Sequence, residues 1–366
     1  MTGPKTVLIA GGGTGGHLMP ALAIAEALRA RHPDWRIVLA GAIRGVESRL
    51  LPERTFPFHL LPFEPIYRRQ WWKNLKWPLL GVRLIRLVRG LLDHERPDLV
   101  LGTGGYASGP MVWAAARRGI PTAILEQDAF PGLVTRWLAP RVREVYLGAP
   151  EAEALLRPGP RTRVTFTGSP IVPPSFERRA RARATLGIGP DQPVVVVMGG
   201  SQGSVAINQL IGAWVDQGGA RGLTLLWATG AASFPQCRHR QAPPAVHVVE
   251  FLDPVADAYA IADLVVCRAG MMTIAELAAW GLPSVLIPLP TAAADHQTKN
   301  AAAMAAAGAA VVLPQAGLAA TTLGRTITDL LADRPRLARL AEAARHRGRP
   351  GAVAEIAASL ERLLAS

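Results

Sequence analysis

Ile9-Ala10-Gly11-Gly12-Gly13-Thr14-Gly15-Gly16-His17-Leu18-Met19-Pro20 joins a short apolar run, Val7 to Ala10, to a pattern that sets Leu18, Leu22, Ala25 and Leu28 on one helical face. Strand, glycine loop and helix in that order build an anion site. The glycines let the backbone turn tightly and approach a ligand, and the first helical turn offers unpaired N–H groups at the positive end of the dipole. A phosphate or a developing oxyanion fits there. His17 is a titratable group at the helix entrance, where the dipole disfavours its charged form, which suits a neutral imidazole acting as a base.

Gly11, Gly13 and Gly16 also satisfy G-x-G-x-x-G, the spacing of a dinucleotide site. That fingerprint requires an acidic residue at the end of the second strand to bind a ribose. Here Arg36-Ile37-Val38-Leu39-Ala40-Gly41-Ala42 ends without one, and Glu47 comes too late.

The length of 366 residues predicts two domains, each with its own core. Lys and Arg number 40 against 27 Asp and Glu, a net charge of +13, which points to an anionic partner: nucleic acid, an anionic membrane surface or a phosphorylated substrate. Two cysteines, Cys237 in an expected loop and Cys267 at a strand end, suggest neither a disulfide framework nor a thiolate metal site and fit a reducing cytoplasm. No charged N-terminal region precedes a long apolar run and no segment stays apolar for about 18 residues. A protein that is neither exported nor membrane-spanning is expected.

Short apolar runs alternate with helical patterns: Val7 to Ala10, Ile37 to Ala40, Leu99 to Leu101, Ala123 to Leu125 and Val145 to Leu147. A second series follows a Pro- and Arg-rich stretch: Val194 to Met198, Leu223 to Trp227, His247 to Val249, Leu264 to Val266, Ser284 to Ile287 and Ala310 to Leu313. This alternation predicts an α/β protein of two doubly wound Rossmann-like domains, 1–168 and 194–340, joined by a linker over 169–193, with ligands in the cleft they face. The tail, 341–366, reads as a helix that crosses back to the first domain.

Further glycine loops extend the anion chemistry. Gly102-Thr103-Gly104-Gly105-Tyr106-Ala107-Ser108-Gly109-Pro110 follows the Leu99 strand, with Tyr106 and Ser108 adding hydroxyls, and Gly199-Gly200-Ser201-Gln202-Gly203 follows the first strand of the second domain. In Arg268-Ala269-Gly270-Met271-Met272-Thr273-Ile274-Ala275-Glu276 a helix start suits a diphosphate, and Glu276 one turn in suits both hydroxyls of a ribose. His296-Gln297-Thr298-Lys299-Asn300 sets two amides, Gln297 and Asn300, on one helix face. Glu126-Gln127-Asp128 ends the Ala123 strand at the rim where His17 stands. No Asp-x-Asp pair and no His/Glu cluster with metal-ligand spacing occurs, so a leaving diphosphate is left to amides and dipole, with no cofactor or metal required.

Tyr67-Arg68-Arg69-Gln70-Trp71-Trp72-Lys73-Asn74-Leu75-Lys76-Trp77-Pro78 leads into a helix with Leu80, Leu84, Leu87 and Leu91 on an expected core face. Arg83, Arg86 and Arg89 lie on another face, flanked by Leu79 and Val82. Tryptophans among basic residues, with no acid between Tyr67 and Arg89, suit an anionic membrane interface better than a nucleic-acid groove.

The loops from Gly12 to His17, Gly104 to Pro110 and Gly199 to Gly203, with Glu126-Gln127, Glu250-Phe251-Leu252, Arg268-Ala269-Gly270, Thr273 and Glu276, together resemble the MurG family of GT-B glycosyltransferases. The likeness runs from about Val7 to the tail. It implies a GT-B fold and an inverting transfer of N-acetylglucosamine from UDP-N-acetylglucosamine to lipid I, forming lipid II for peptidoglycan. It places the protein peripherally on the cytoplasmic side of the cell membrane, with other cell-wall or division proteins as partners and no nucleic acid. Carried over by position, the donor set is Thr14, Gly15, Gly16, Ser201, Gln202, Gly203, Phe251 and Leu252 (uracil), Gly270 to Thr273 (diphosphate), Glu276 (ribose), and His296, Gln297 and Asn300 (sugar). The acceptor set is Gly13, Thr14, Gly104, Gly105, Tyr106 and Ser108, with His17, Tyr106, Glu126 and Asp128 at the reacting hydroxyl. The membrane set is Trp71, Trp72, Leu75, Trp77, Leu79, Arg83 and Arg86. Asp128 stands where the family usually has Asn, and Val172 where an Arg is common. Another GT-B UDP-sugar transferase with a different lipid acceptor, or a non-catalytic membrane-surface protein, is the alternative.

Overall fold

The strands carry Val, Ile and Leu almost without interruption, the pattern of parallel strands covered on both faces by helices. The computed structural model describes residues 4–63, 77–200 and 202–365. The chain divides into two compact units, Met1–Ile171 with Gly351–Ser366, and Val172–Pro350.

The first unit runs β1 (Thr6–Ala10), α1 (Gly15–Arg31), β2 (Arg36–Ala42), α2 (Glu47–Leu50), β3 (Phe58–Leu61), α3 (Trp77–Glu95), β4 (Leu99–Gly102), α4 (Gly105–Arg117), β5 (Thr122–Glu126), α5 (Leu133–Leu138), β6 (Glu144–Leu147) and β7 (Arg163–Phe166). The strands are parallel, in the order β3-β2-β1-β4-β5-β6-β7. The order reverses between β1 and β4, so the loops leaving these neighbours open side by side at the carboxyl edge. Alternate residues serve opposite cores. Leu8, Val100 and Val145 join Val88, Leu92 and Val112 on one face, while Ile9 and Leu101 join Leu18, Leu22 and Leu28 on the other.

The second unit runs α6 (Arg178–Thr185), β8 (Val194–Met198), α7 (Val205–Asp216), β9 (Thr224–Ala228), α8 (Phe234–Cys237), β10 (Val246–Val249), α9 (Val255–Ile261), β11 (Leu264–Cys267), α10 (Met271–Trp280), β12 (Ser284–Leu286), α11 (His296–Ala306), β13 (Val311–Val312), α12 (Ala320–Ala332) and α13 (Arg334–Arg347). Its parallel order is β10-β9-β8-β11-β12-β13, with the reversal between β8 and β11. The last helix, α14 (Ala352–Ala365), returns to the first unit, where Ile356, Ala357 and Leu360 enter the core of Ile24 and Leu28. Glu361 pairs there with Arg31 at 2.6 Å.

Four expectations need correction. The stretch 169–193 is not a free linker: Ile171 is buried, and α6 packs on α9, with Arg178 bridging Asp257 at 2.8 Å and Arg179 donating to the Ala260 carbonyl at 3.0 Å. The tail is two helices, and the chain changes unit at 350/351, after Gly348, whose backbone lies too near Ala278 to admit a side chain: a Cβ there falls 2.7 Å from the carbonyl oxygen. On α3 the core stripe is Leu84, Val88, Leu91 and Leu92, and Leu87 turns to its exposed margin. Cys237 ends a short helix rather than lying in a loop, and both cysteines are buried and unlinked.

Candidate active site

The loops after β1 and β4 close on one another. Gly12 and Gly13 take φ of 150° and 94°, Gly104 and Gly105 take 102° and 76°, backbone that side chains disfavour. The contact is backbone to backbone: a Cβ on Gly105 falls 1.9 Å from the Gly12 carbonyl oxygen, and one on Gly13 falls 2.6 Å from the Tyr106 ring. The His17 imidazole lies against Gly104, whose Cβ position is 2.5 Å from Nδ1. Thr103 Oγ1 donates to the His17 carbonyl at 3.0 Å, tying the two loops once more. The first turn of α1 carries no acid, and a Cβ on Gly15 meets nothing within 4 Å, so this helix start faces open space. His17, Tyr106, Thr14 and both loops are therefore brought together.

Beneath the first loop lies a residue that the sequence reading set aside. Glu47 is fully buried, and its Oε1 accepts from the amides of Gly13 (2.7 Å) and Ala42 (3.0 Å). Gly12, Gly41 and Gly45 surround it so closely that a Cβ on any of them falls within 2.7 Å of its atoms. This carboxyl reaches the end of β2 but is buried beneath the loop, so it shapes the loop from below and presents no oxygen to a ribose. Its signal in the sequence was the pair of glycines, Gly41 and Gly45, ahead of it.

Glu126 is also turned inward. Its Oε1 accepts from the Asp128 amide at 3.1 Å and its Oε2 from the Gly132 amide at 2.9 Å, so it folds the 128–132 loop into the start of α5. Burial raises its pKa to about 7; the Asp128 charge adds to the rise, while hydrogen bonds from Thr135 and the two amides oppose it. Gln127 donates to the Thr103 carbonyl at 3.1 Å and braces the second loop. Ser108 is buried and gives its proton to the Gly105 carbonyl at 3.0 Å, so it supplies no donor to a ligand. Asp128 is half-buried at the strand end.

In the second unit, Gly203 takes φ of 73° under the Thr229 carbonyl, and Ser204 caps α7, accepting from the Ile207 amide at 3.3 Å. Ser201 lies outside the described residues, and Gln202 is exposed. Arg268 is a buried strut whose role the motif alone does not reveal: it donates to Ser204 Oγ (2.7 Å), Gln315 Oε1 (2.6 Å) and the carbonyls of Ile287 and Pro288 (3.0 and 3.1 Å). Burial lowers its pKa.

Gly270 begins α10 without a side-chain cap or an acid in the first turn among the described residues, and its Cβ position is open. Met272 and Thr273 are half-buried there, and Met271 is buried. One turn on, Glu276 accepts from the Tyr259 hydroxyl at 2.8 Å. Burial raises the carboxyl's pKa and the tyrosine opposes the rise. Tyr259, buried on α9, was missed because one aromatic in an apolar helix carries no sequence signal for a polar task. Phe251 is exposed and Leu252 half-buried just beyond β10.

The amide pair on α11 separates. Gln297 is half-buried, with Oε1 accepting from the amides of Ala269 (3.2 Å) and Leu289 (3.0 Å) and its NH2 left for a ligand. Asn300 is fully buried and donates to the Ala269 carbonyl at 3.4 Å. Residues three apart share a helix face, but that face here descends into the core. His296 binds the Ala293 carbonyl at 2.8 Å. Val172 is exposed.

Of the expected membrane residues, Trp71, Trp72 and Leu75 lie outside the described residues. Trp77 and Leu79 are on α3, and Arg83 and Arg86 are exposed on it.

Two parallel sheets that each reverse order beside glycine loops, with open helix starts and a tyrosine-held carboxyl, define a GT-B glycosyltransferase. Residues 7–147 match the glycosyltransferase family 28 N-terminal domain and residues 194–356 its C-terminal domain. The chain is 39% identical over 364 residues to a Carboxydothermus hydrogenoformans protein, covering 98% of this chain and 97% of that one, and 41% identical over 360 residues to one from Salinibacter ruber, covering 96% and 95%. Both are named UDP-N-acetylglucosamine--N-acetylmuramyl-(pentapeptide) pyrophosphoryl-undecaprenol N-acetylglucosamine transferase. The crystal structure of Acinetobacter baumannii MurG superposes with a TM-score of 0.78 at 27% identity, over 98% of this chain and all of that one (100%). The chain belongs to the MurG family within glycosyltransferase family 28.

Proposed function

We propose that the chain transfers N-acetylglucosamine from UDP-N-acetylglucosamine to the 4-hydroxyl of the N-acetylmuramyl-pentapeptide on pyrophosphoryl-undecaprenol, with inversion, as a step of peptidoglycan synthesis. The observation that carries the acceptor side is the closure of the β1 and β4 loops around His17 and Tyr106. His17 takes the proton of the attacking hydroxyl, Tyr106 and the amides of Gly13 and Thr14 hold the acceptor's polar groups, the amides of Gly15 and Gly16 turn to the donor, and Asp128 and Glu126 fix the neighbouring rim. On the donor side, Glu276, held by Tyr259, accepts from the ribose hydroxyls, the open start of α10 takes the diphosphate, and Gln297 turns its NH2 to the sugar. Amides and dipole carry the leaving charge, so no metal is required and a chelator leaves the rate unchanged.

UDP release with lipid I, set against other lipid acceptors, tests the reading. His17→Ala lowers kcat by about 10² to 10⁴ and removes the acidic limb of the pH–rate profile. Should the limb survive there and vanish in Asp128→Asn, the carboxylate is the base and His17 positions the acceptor.

The same reading places the first unit on the cytoplasmic face of an anionic membrane, through the side formed by α3, α4 and α5. Among the described residues no helix is long and apolar enough to cross a membrane. Beside the exposed Arg83 and Arg86, α5 offers Leu133, Val134 and Trp137, the last 46% exposed. Trp137 stacks near Trp113 at 6.4 Å, with Arg117 and Arg141 lying on the two rings. Indole between guanidinium groups is the composition of a membrane interface. Co-sedimentation of the full chain with phosphatidylglycerol vesicles, lost on Leu133→Ser with Trp137→Ser, checks this face.

A further inference from the structure

The first unit holds a pocket that the transfer reaction does not use. It lies at the amino edge of the sheet, opposite the glycine loops, with a volume of ≈290 Å³, and its walls include Ile120, Thr122, Pro140, Arg141, Arg143 and Arg161. None of its lining residues carries a carboxylate. Arg143 and Arg161 are exposed and form no ion pair among the described residues. Three arginines line one hollow that no carboxylate lines, a charge balance that favours an anion there.

The walls are fixed rather than draped. The Thr162 hydroxyl sits between the carbonyls of Ala139 and Val142, at 2.9 and 2.6 Å, and Gly159 packs so tightly on Pro140 that a Cβ there falls 2.5 Å from its carbonyl oxygen. The 159–162 turn is thereby pinned to the turn after α5. Arg141 belongs to both the pocket and the exposed aromatic patch: its guanidinium lies 4.9 Å from the Trp137 ring centre and donates to the Trp137 carbonyl at 2.5 Å. The hollow is continuous with the patch at that residue. A ligand whose apolar part lies along Leu133 and Trp137 and whose phosphate turns inward meets the arginines.

We propose that this pocket receives the phosphodiester headgroup of an anionic phospholipid while its acyl chains stay in the bilayer against the α5 patch. The assignment rests on the membrane reading above. It adds a stoichiometric, headgroup-specific contact to a face that otherwise holds the bilayer by apolar burial and diffuse charge.

The test uses the full chain and dihexanoyl phosphatidylglycerol below its micelle concentration, followed by titration calorimetry. The wild type binds it saturably, and Arg143→Gln with Arg161→Gln weakens binding by roughly tenfold or more, about 1 kcal/mol or less per arginine. Arg334→Gln with Arg336→Gln, an equal charge loss on α13, leaves it unchanged. Equal affinity in the Arg143/Arg161 variant, or inorganic phosphate binding as tightly as the lipid, overturns the proposal, the latter by making the pocket a general anion site. A wild type that sediments with phosphatidylglycerol vesicles but shows no arginine-dependent lipid binding keeps the membrane face and removes the pocket. A wild type that does not sediment removes the face and the lipid assignment with it.

Discussion

Glu47→Ala is the sharpest perturbation the first unit offers. The side chain is 0% exposed and its Oε1 accepts two amides, from Gly13 at 2.7 Å and Ala42 at 3.0 Å. Hydrogen bonds to a charged group contribute about 1.5 to 3 kcal/mol each, so losing both costs roughly 3 to 6 kcal/mol before the cavity is counted. Against a typical domain stability of about 5 to 15 kcal/mol, that leaves the first unit close to unfolding. Glu47→Gln separates shape from charge, because its amide oxygen still accepts both N–H groups at neutral strength. Urea denaturation followed by intrinsic fluorescence should show a much lower midpoint for the alanine variant and a small shift for the glutamine. In steady-state assays of Glu47→Gln the acceptor KM rises while the KM for UDP-N-acetylglucosamine stays put, since the loop above Glu47 serves the acceptor. An alanine variant with wild-type midpoint and kinetics refutes the claim that this carboxyl holds the glycine loop.

Glu126 predicts a pH dependence of stability. Its folded pKa of about 7 lies above the ordinary 4.5 of a glutamate, so between those values the folded state binds the extra proton and stability falls as pH rises. The full effect is about 3 kcal/mol, and Glu126→Gln should flatten the first unit's thermal stability between pH 5 and about 8; an unchanged slope counts against it. Tyr259→Phe removes the donor to Glu276, and a loss of about 1 kcal/mol raises the KM for UDP-N-acetylglucosamine roughly fivefold at nearly constant kcat. A fall in kcat with unchanged KM contradicts a ribose role for Glu276. Asn300→Ala, at a fully buried site, should lower the melting temperature and leave donor affinity unchanged once the protein is folded, whereas Gln297→Ala weakens donor binding; calorimetry with UDP-N-acetylglucosamine distinguishes them.

Periodicity made most of the frame legible. Leu18, Leu22, Ala25 and Leu28 are all buried as the spacing demands, and every run expected as a strand overlaps one, though β13 is only Val311–Val312 of the expected Ala310 to Leu313. The edge strands β3 and β7 were missed because Phe58-His59-Leu60-Leu61 and Arg163-Val164-Thr165-Phe166 are short and mostly half-buried, and they mix polar with apolar residues. The glycines of the first two loops announced the tight turns after β1 and β4, where Gly12, Gly13, Gly104 and Gly105 all take positive φ, since backbone geometry writes itself into residue type. The residues that brace those loops did not announce themselves: Glu47, Gln127, Tyr259 and Arg268 act through contacts with residues far along the chain or through a backbone turn. Asn300 shows how little spacing says of exposure: it shares a helix face with the half-buried Gln297, yet its side chain is fully buried.

The return of α14 to the first unit sets an order of events during synthesis. Residues 1–171 emerge from the ribosome first, but Ile356, Ala357 and Leu360, which complete the core beside Ile24 and Leu28, follow only after the whole of Val172–Pro350. At about 5 to 20 residues per second, those intervening 179 residues take roughly 10 to 40 seconds. Through that interval the nascent first unit carries an uncovered apolar strip along α1, open to chaperones and to other nascent chains. The second unit, uninterrupted in sequence, is free to finish first although it is made second.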